Sequence, residues 1–151
     1  PVRLILAGRA HDDAAKATID AAMAEFGEHV DYLGAISDEQ KDVYFRNLDV
    51  FLFPTQYINE AQPRVILEAL SYAVPVITRA RSCIPGDVGD AGVCIAEHLD
   101  FVETAIPALR RWIDDPIALA STSERAIQRS LELHANARRQ LDEAAREITG
   151  F

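Results

Sequence analysis

Leu48-Asp49-Val50-Phe51-Leu52-Phe53-Pro54, then Pro63-Arg64-Val65-Ile66-Leu67-Glu68-Ala69-Leu70-Ser71-Tyr72-Ala73, then Pro75-Val76-Ile77-Thr78 decide how this chain folds. The first run is short and apolar, and it is closed by a proline that has no N–H for a sheet ladder. It predicts a strand over 48–53. The second run spaces Val65, Ile66, Ala69, Leu70 and Ala73 along one helical face. Arg64, Glu68, Ser71 and Tyr72 fall on another face, so the spacing predicts a core helix over 63–73. The third run predicts a short strand over 75–78. Strand, helix, strand is the crossover unit of a parallel sheet.

The same alternation extends upstream. Val2 to Ala7 is a continuous apolar run ending at Gly8, expected to be a strand buried on both faces. Asp12 to Phe26 is alanine-rich with apolar residues at helical spacing; Asp12 or Asp13 can cap it and Gly27 stops it. His29 to Leu33 is a second strand, ending at Gly34. Ser37-Asp38-Glu39-Gln40 reads as a capping box opening a short helix to Asn47. Downstream, Pro85 to Gly92 is turn-rich and Val93 to Ala96 is a fifth strand. Three helices are then expected, over 101–114, 117–134 and 137–148, with Asp115-Pro116 breaking the first from the second. The order βαβαβαββ followed by helices predicts an α/β, Rossmann-like fold: a mostly parallel open sheet flanked by helices, with a helical C-terminal segment. Ligands of such sheets bind beyond the carboxyl ends of the strands. Those ends lead into Gly8-Arg9, Gly34-Ala35-Ile36, Thr55 to Gln62 and Thr78 to Pro85.

Composition limits the function. The 151 residues are expected to form one domain, long enough to bury a core. A net charge of −9 argues against non-specific nucleic-acid binding, which needs a basic face. It still permits an anionic small ligand held by oriented backbone dipoles. No apolar run is long enough to span a membrane, and no signal segment opens the chain, so a cytoplasmic location is expected. The start at Pro1, running almost at once into an apolar strand, is expected of a piece of a longer protein. Cys83 and Cys94 belong to no Cys-x-x-Cys or Cys/His pattern; two reduced thiols and no metal are expected.

The candidate site is the stretch Asn59 to Glu68. Glu60 precedes the 63–73 helix and Glu68 lies inside its apolar run. A carboxylate within a core helix is costly unless it has a partner. The helix start offers backbone N–H groups to an anion. Glu68 lies roughly 7–8 Å along the axis from Pro63 at about 1.5 Å per residue. That distance suits a phosphate at the helix mouth and a ribose one turn further, whose vicinal hydroxyls an ionised carboxylate accepts. Against this stands a plain surface pair between Arg64 and Glu68, worth about 0.3–0.5 kcal/mol.

Asp49 to Thr55, Glu60 to Glu68, and Glu68-Ala69-Leu70 on to Pro75-Val76-Ile77 together resemble the group 1 glycosyltransferases, retaining enzymes of GT-B architecture with an E-x7-E motif. The whole chain is similar to their C-terminal, donor-binding domain. The resemblance implies that Glu68 binds the nucleotide ribose and that Glu60 contacts the donor sugar near its reacting end. It implies that backbone N–H groups of Ala61, Gln62, Arg64 and Val65 face the sugar and diphosphate, and that Gly34-Ala35-Ile36 reads the base edge. It implies a nucleotide diphosphate-sugar as partner, transfer without metal or other cofactor, and an N-terminal acceptor domain missing here. Membrane association would come only through the full-length enzyme, and the isolated fragment would be inactive. Several positions depart from the pattern: Pro63 stands where a glycine is usual, Ala73 where a helix-ending glycine is usual, and Gly86, followed by Asp87, where a glutamate is usual. The family's Gly-Arg…Lys-Gly phosphate stretch does not occur in these residues.

Other residues are read more plainly. Arg79 and Arg81 follow a strand end and either touch diphosphate or are loop charges. Tyr57 is expected to pack, and His11, His98 and His134 to be loop or helix-end residues. Arg125 and Arg129 against Glu124 and Glu132 read as a solvated face. The alternative function is a non-catalytic Rossmann-like interaction module that has lost its phosphate cradle. A phosphoacceptor receiver domain is disfavoured because the third strand ends in Pro54-Thr55 rather than an aspartate.

Overall fold

Helix ends account for most of the observed element boundaries in the computed structural model, which describes residues 2–149; Pro1, Gly150 and Phe151 lie outside the described residues. The described chain falls into two compact units that divide between Tyr44 and Phe45.

In the first unit, β1 (Leu4–Leu6) pairs in parallel with β2 (Val30–Tyr32), with Leu4 opposite Val30 and Leu6 opposite Tyr32. Between them runs α1 (Asp13–Phe26), whose N-cap Asp12 accepts a hydrogen bond from Ala15 N–H at 2.7 Å. Gly27 ends it at φ +54. The expected double-sided burial of the first strand does not hold within this unit: Leu4 is exposed and Ile5 and Leu6 only half-buried. The sheet here has two strands, so β1 has a single strand neighbour. The capping box forms as expected at the start of α2 (Asp38–Arg46). Ser37 N–H donates to Gln40 Oε1 at 2.8 Å, and Gln40 N–H donates back to Ser37 Oγ at 3.4 Å.

The second unit holds a three-stranded parallel sheet in the order β3 (Phe51–Phe53), β4 (Val76–Arg79), β5 (Gly92–Ile95). Phe51 lies opposite Val76 and Val76 opposite Gly92. Its helices are α3 (Arg64–Ser71), α4 (Ile84–Val88), α5 (Phe101–Asp114) and α6 (Pro116–Thr149). Ile77, Ile95, Ala105 and Trp112 form one buried cluster, and Ile66, Ala69 and Leu70 bury the predicted face of α3.

Two further expectations are corrected. The turn-rich stretch after β4 carries a short helix, α4, which supplies the crossover that two adjacent parallel strands require. The helices expected at 117–134 and 137–148 are one continuous 34-residue helix, α6. Ala135-Asn136-Ala137 contains neither glycine nor proline, and asparagine alone disfavours a helix interior only weakly. Among the described residues no helix is long and apolar enough to cross a membrane.

Candidate functional site

Because β3 and β4 are parallel neighbours, with Phe53 opposite Thr78, the loops that leave their carboxyl ends begin side by side. The fully buried Thr78 hydroxyl donates to Phe53 C=O at 2.8 Å and fixes that shared end. The first loop, 54–63, winds tightly. Thr55 N–H donates to Phe53 C=O at 2.9 Å, Tyr57 N–H to Thr55 Oγ1 at 3.2 Å, and Glu60 N–H to Tyr57 C=O at 3.2 Å. Thr55 Oγ1 lies 3.5 Å from Glu60 Oε2, so the half-buried Glu60 carboxylate is turned back toward the strand end.

The segment after β4 fastens this loop from the other side. Arg81 donates to Gln56 C=O at 3.3 Å while its Nε pairs with Glu97 at 2.8 Å. The Cys83 thiol donates to Ala61 C=O. Gln62 Nε2 donates to both oxygens of Asp87, at 3.2 and 3.1 Å. Asp87 is 7% exposed, the one acidic side chain among the buried polar residues of this unit. Partial desolvation first, then the Asp87 and Glu60 carboxylates, push the Cys83 thiol above its ordinary pKa, so it stays a donor at neutral pH.

The start of α3 completes the arrangement. Pro63 is its N-cap, at φ −72 and ψ 112, rather than a residue inside it, and no side chain caps the helix. Ile66 N–H already bonds Pro63 C=O at 3.0 Å. The N–H groups of Arg64 and Val65 are those the helix itself cannot satisfy. Ala61, Gln62 and Arg64 are exposed and Val65 is half-buried, while the N-cap Pro63 between them is buried. The other four helices of eight residues or more have side-chain caps: Asp12 for α1, Ser37 for α2, Asp100 for α5 and Asp115 for α6. Glu68 lies one turn further along α3 and is half-buried, beside the exposed Ser71, whose hydroxyl donates to Glu68 C=O at 2.7 Å.

The structure thus brings Glu60, Ala61, Gln62, Arg64, Val65 and Glu68 onto one loop and one helix. Gly34, Ala35 and Ile36 belong to the first unit, where Gly34 turns at φ +65 and accepts from Gly8 N–H at 2.7 Å. Arg79 is committed elsewhere. It donates to Leu99 C=O at 2.7 Å and lies 5.2 Å from the centre of the Phe101 ring, so it serves the turn before α5. Tyr57, expected to pack, is instead 62% exposed at the loop tip, with Ile58 beside it at 85%. Arg125 and Arg129 do not form a solvated face. Arg125 donates to Asp90 C=O and to the Ser121 and Thr122 hydroxyls, and Arg129 donates to the Asp87 and Gly86 carbonyls at the end of α4. Asp87 and Cys83 are the site residues that sequence reasoning missed. Cys83 carried no signal beyond its place in a strand-end loop, and Asp87 only its place beside the departure at Gly86, because the contact to residues more than twenty positions upstream is tertiary.

Among the described residues no group of three or more His, Cys, Asp or Glu side chains is placed to hold a metal ion. A polar cavity of about 250 Å³, lined by Arg111, Trp112, Ser121 and Arg125, opens beside Gly92 at the start of β5, whereas the candidate site lies beyond the ends of β3 and β4.

The sequence profile of the family described as "Glycosyl transferases group 1" matches residues 1–146. None of the curated protein sequences matches the chain. Among solved structures, the sucrose-phosphate synthase of Thermosynechococcus elongatus superposes with a TM-score of 0.76 at 23% identity, over 98% of this chain and 39% of that one. WaaG, a glycosyltransferase involved in lipopolysaccharide biosynthesis, gives 0.68 at 24% identity, over 85% and 33%. HepE of Anabaena, solved in complex with UDP-glucose, gives 0.65 at 18% identity, over 94% and 41%. At these identities the likeness is one of fold, a Rossmann-like α/β domain, and this chain spans roughly two-fifths or less of each of the three.

Proposed function

We propose that this chain, which belongs to the group 1 glycosyltransferases, is the C-terminal donor-binding domain of a two-domain enzyme that moves a sugar from a nucleotide diphosphate-sugar to an acceptor. The observation that carries the reading is the uncapped mouth of α3, which among the described helices of eight residues or more is the one with no side-chain cap. With Pro63 at the N-cap, one donor is missing from the helix mouth, and the Arg64 and Val65 donors remain. The positive end of the helix dipole adds to their pull on a diphosphate.

In this reading Glu68 accepts hydrogen bonds from the ribose hydroxyls and Glu60 contacts the donor sugar at its reacting end. The backbone N–H groups of the 61–65 turn and helix start stabilise the leaving diphosphate electrostatically. Transfer retains the anomeric configuration and needs no metal. The acceptor half and the basic phosphate-binding pair come from the remainder of the parent enzyme. This domain alone binds nucleotide weakly and catalyses nothing.

Calorimetry or ligand-observed NMR with UDP and GDP tests the assignment, with Glu68→Ala as the control. Binding of one nucleotide by the wild-type chain, lost or at least roughly tenfold weaker in Glu68→Ala, is the expected result; a charged hydrogen bond is worth about 1.5–3 kcal/mol. Equal affinity in the two proteins would remove Glu68 from the ribose site.

A further inference from the structure

The Gln62–Asp87 contact has no counterpart in the assigned roles, and it fixes which end of an amide meets the carboxylate. An ionised carboxylate only accepts hydrogen bonds, so the amide nitrogen of Gln62 must be the end that faces Asp87. Asp87 is buried and Gln62 is exposed. The nitrogen end is therefore taken up by Asp87, which leaves the carbonyl oxygen, an acceptor, as the other hydrogen-bonding atom of the amide. Asp87 itself is held from behind: Arg129 Nε donates to the Asp87 backbone C=O at 3.0 Å, and the same guanidinium donates to Gly86 C=O. This grip on α4 keeps the Asp87 carboxylate aimed at the loop.

We propose that Asp87 is a positioning residue that locks Gln62 as a hydrogen-bond acceptor, and that the acceptor pair Gln62 and Glu60 selects a neutral, hydroxyl-bearing donor sugar over one carrying a carboxylate. This proposal rests on the donor-site reading above. Two acceptor-bearing side chains, one of them anionic, line the loop between Thr55 and Pro63, and each can take a hydroxyl proton. A sugar carboxylate at the same place would bring a third negative group beside Glu60 and Asp87, and the two arginines that leave this strand end are engaged with Glu97, Gln56 and Leu99. Both carboxylates lie against this one loop, Glu60 turned back to Thr55 and Asp87 bonded to Gln62.

The test compares affinities of the wild type, Asp87→Ala and Gln62→Ala for UDP, UDP-glucose and UDP-glucuronate, or for GDP, GDP-mannose and GDP-mannuronate if guanine is the base bound. In the wild type the neutral sugar should raise affinity over the bare nucleotide, and the uronate should bind no better than the bare nucleotide. Asp87→Ala should keep nucleotide affinity within twofold, and both variants should lose the neutral sugar's gain by roughly three- to tenfold, the span of one hydrogen bond. Gln62 is exposed, so its variant keeps the test open if Asp87→Ala does not fold. Loss of UDP and UDP-glucose affinity in equal measure, or a uronate bound as well as the neutral sugar, would overturn the proposal and leave the Glu68 assignment standing. Wild-type protein that binds neither nucleotide would overturn the donor-site reading and this proposal with it.

Discussion

Ala73 sits in a backbone conformation that its side chain resists, and replacing it with glycine should stabilise the fold. Helix α3 ends in a Schellman motif. Val74 N–H bonds Ala69 C=O at 3.0 Å, and Ala73 N–H bonds Leu70 C=O at 3.0 Å. The motif requires a left-handed residue after the C-cap Tyr72, and Ala73 supplies it at φ +59. A Cβ in that region costs roughly 1–2 kcal/mol. Glycine removes the clash but gains freedom in the unfolded chain, which offsets about 0.4–1 kcal/mol. The net expectation for Ala73→Gly is about 0.5–1 kcal/mol of added stability. For a unit of this size that raises the midpoint by roughly 2–4 °C. Trp112 is the only tryptophan in the sequence and lies in the buried cluster of this same unit, so its fluorescence reports the relevant transition. Ala69→Gly is the matched control. Ala69 is fully buried inside the helix, and glycine there should destabilise by at least about 1 kcal/mol. An Ala73→Gly protein that melts at or below the wild-type temperature would refute the argument, because strain at φ +59 is the only term that makes the two substitutions opposite in sign.

Gly92→Ala should abolish the cooperative Trp112 transition or lower its midpoint by well over 10 °C. A Cβ built at Gly92 would stand 2.0 Å from the Val76 carbonyl oxygen, and the β4–β5 ladder must separate to admit it. Arg129→Ala should destabilise by about 1–3 kcal/mol, read from the same melts, since it strips the donors from two carbonyls at the end of α4. Cys83 should react with iodoacetamide more slowly than a small thiol at about pH 8.5, and Asp87→Asn should speed the reaction; peptide mapping separates it from Cys94. The sign follows from a raised thiol pKa: the folded state holds the proton more tightly, so the associated stability is full below the unfolded thiol pKa and is lost as pH rises through the folded one. Faster alkylation of the wild type than of Asp87→Asn would contradict the geometry.

How much of this was legible in the sequence follows the range of the interactions. Signals confined to a few neighbouring residues read correctly: the Ser37–Gln40 box, the Asp12 cap, the glycine stop at 27, and the helix end at Ala73. The stretch from Asn59 to Glu68 read correctly as a loop and a helix for the same reason. The errors lie where a partner far along the chain decides. Arg125 and Arg129 have helix neighbours of opposite charge, which made a solvated face the natural reading; the carbonyls they bond are 35 to 43 positions away. Arg79 was ambiguous until Leu99 and Phe101 claimed it. Tyr57 is apolar enough to pack, but the tight 54–63 turn carries it outward. The expected break near Asn136 relied on a residue type that weakens a helix without ending one.

The Gly86–Asp87 departure shows why a displaced motif residue need not be a lost one. The family pattern puts a glutamate where this chain has Gly86, with an aspartate one place later. On a helix, one residue turns a side chain by about 100°. Both positions lie inside α4, so the carboxylate is shortened by one methylene and swung to another face of that helix. There it meets Gln62 instead of the solvent-facing side. The displaced carboxylate thus faces an amide of the 54–63 loop. If the replacement is functional, the two positions are coupled. Asp87→Ala and Gln62→Ala should each remove the sugar's contribution, and the double variant should lose no more than either alone. Additive losses would mean that Asp87 and Gln62 act on separate targets, and the aspartate would then have no role in aiming the amide.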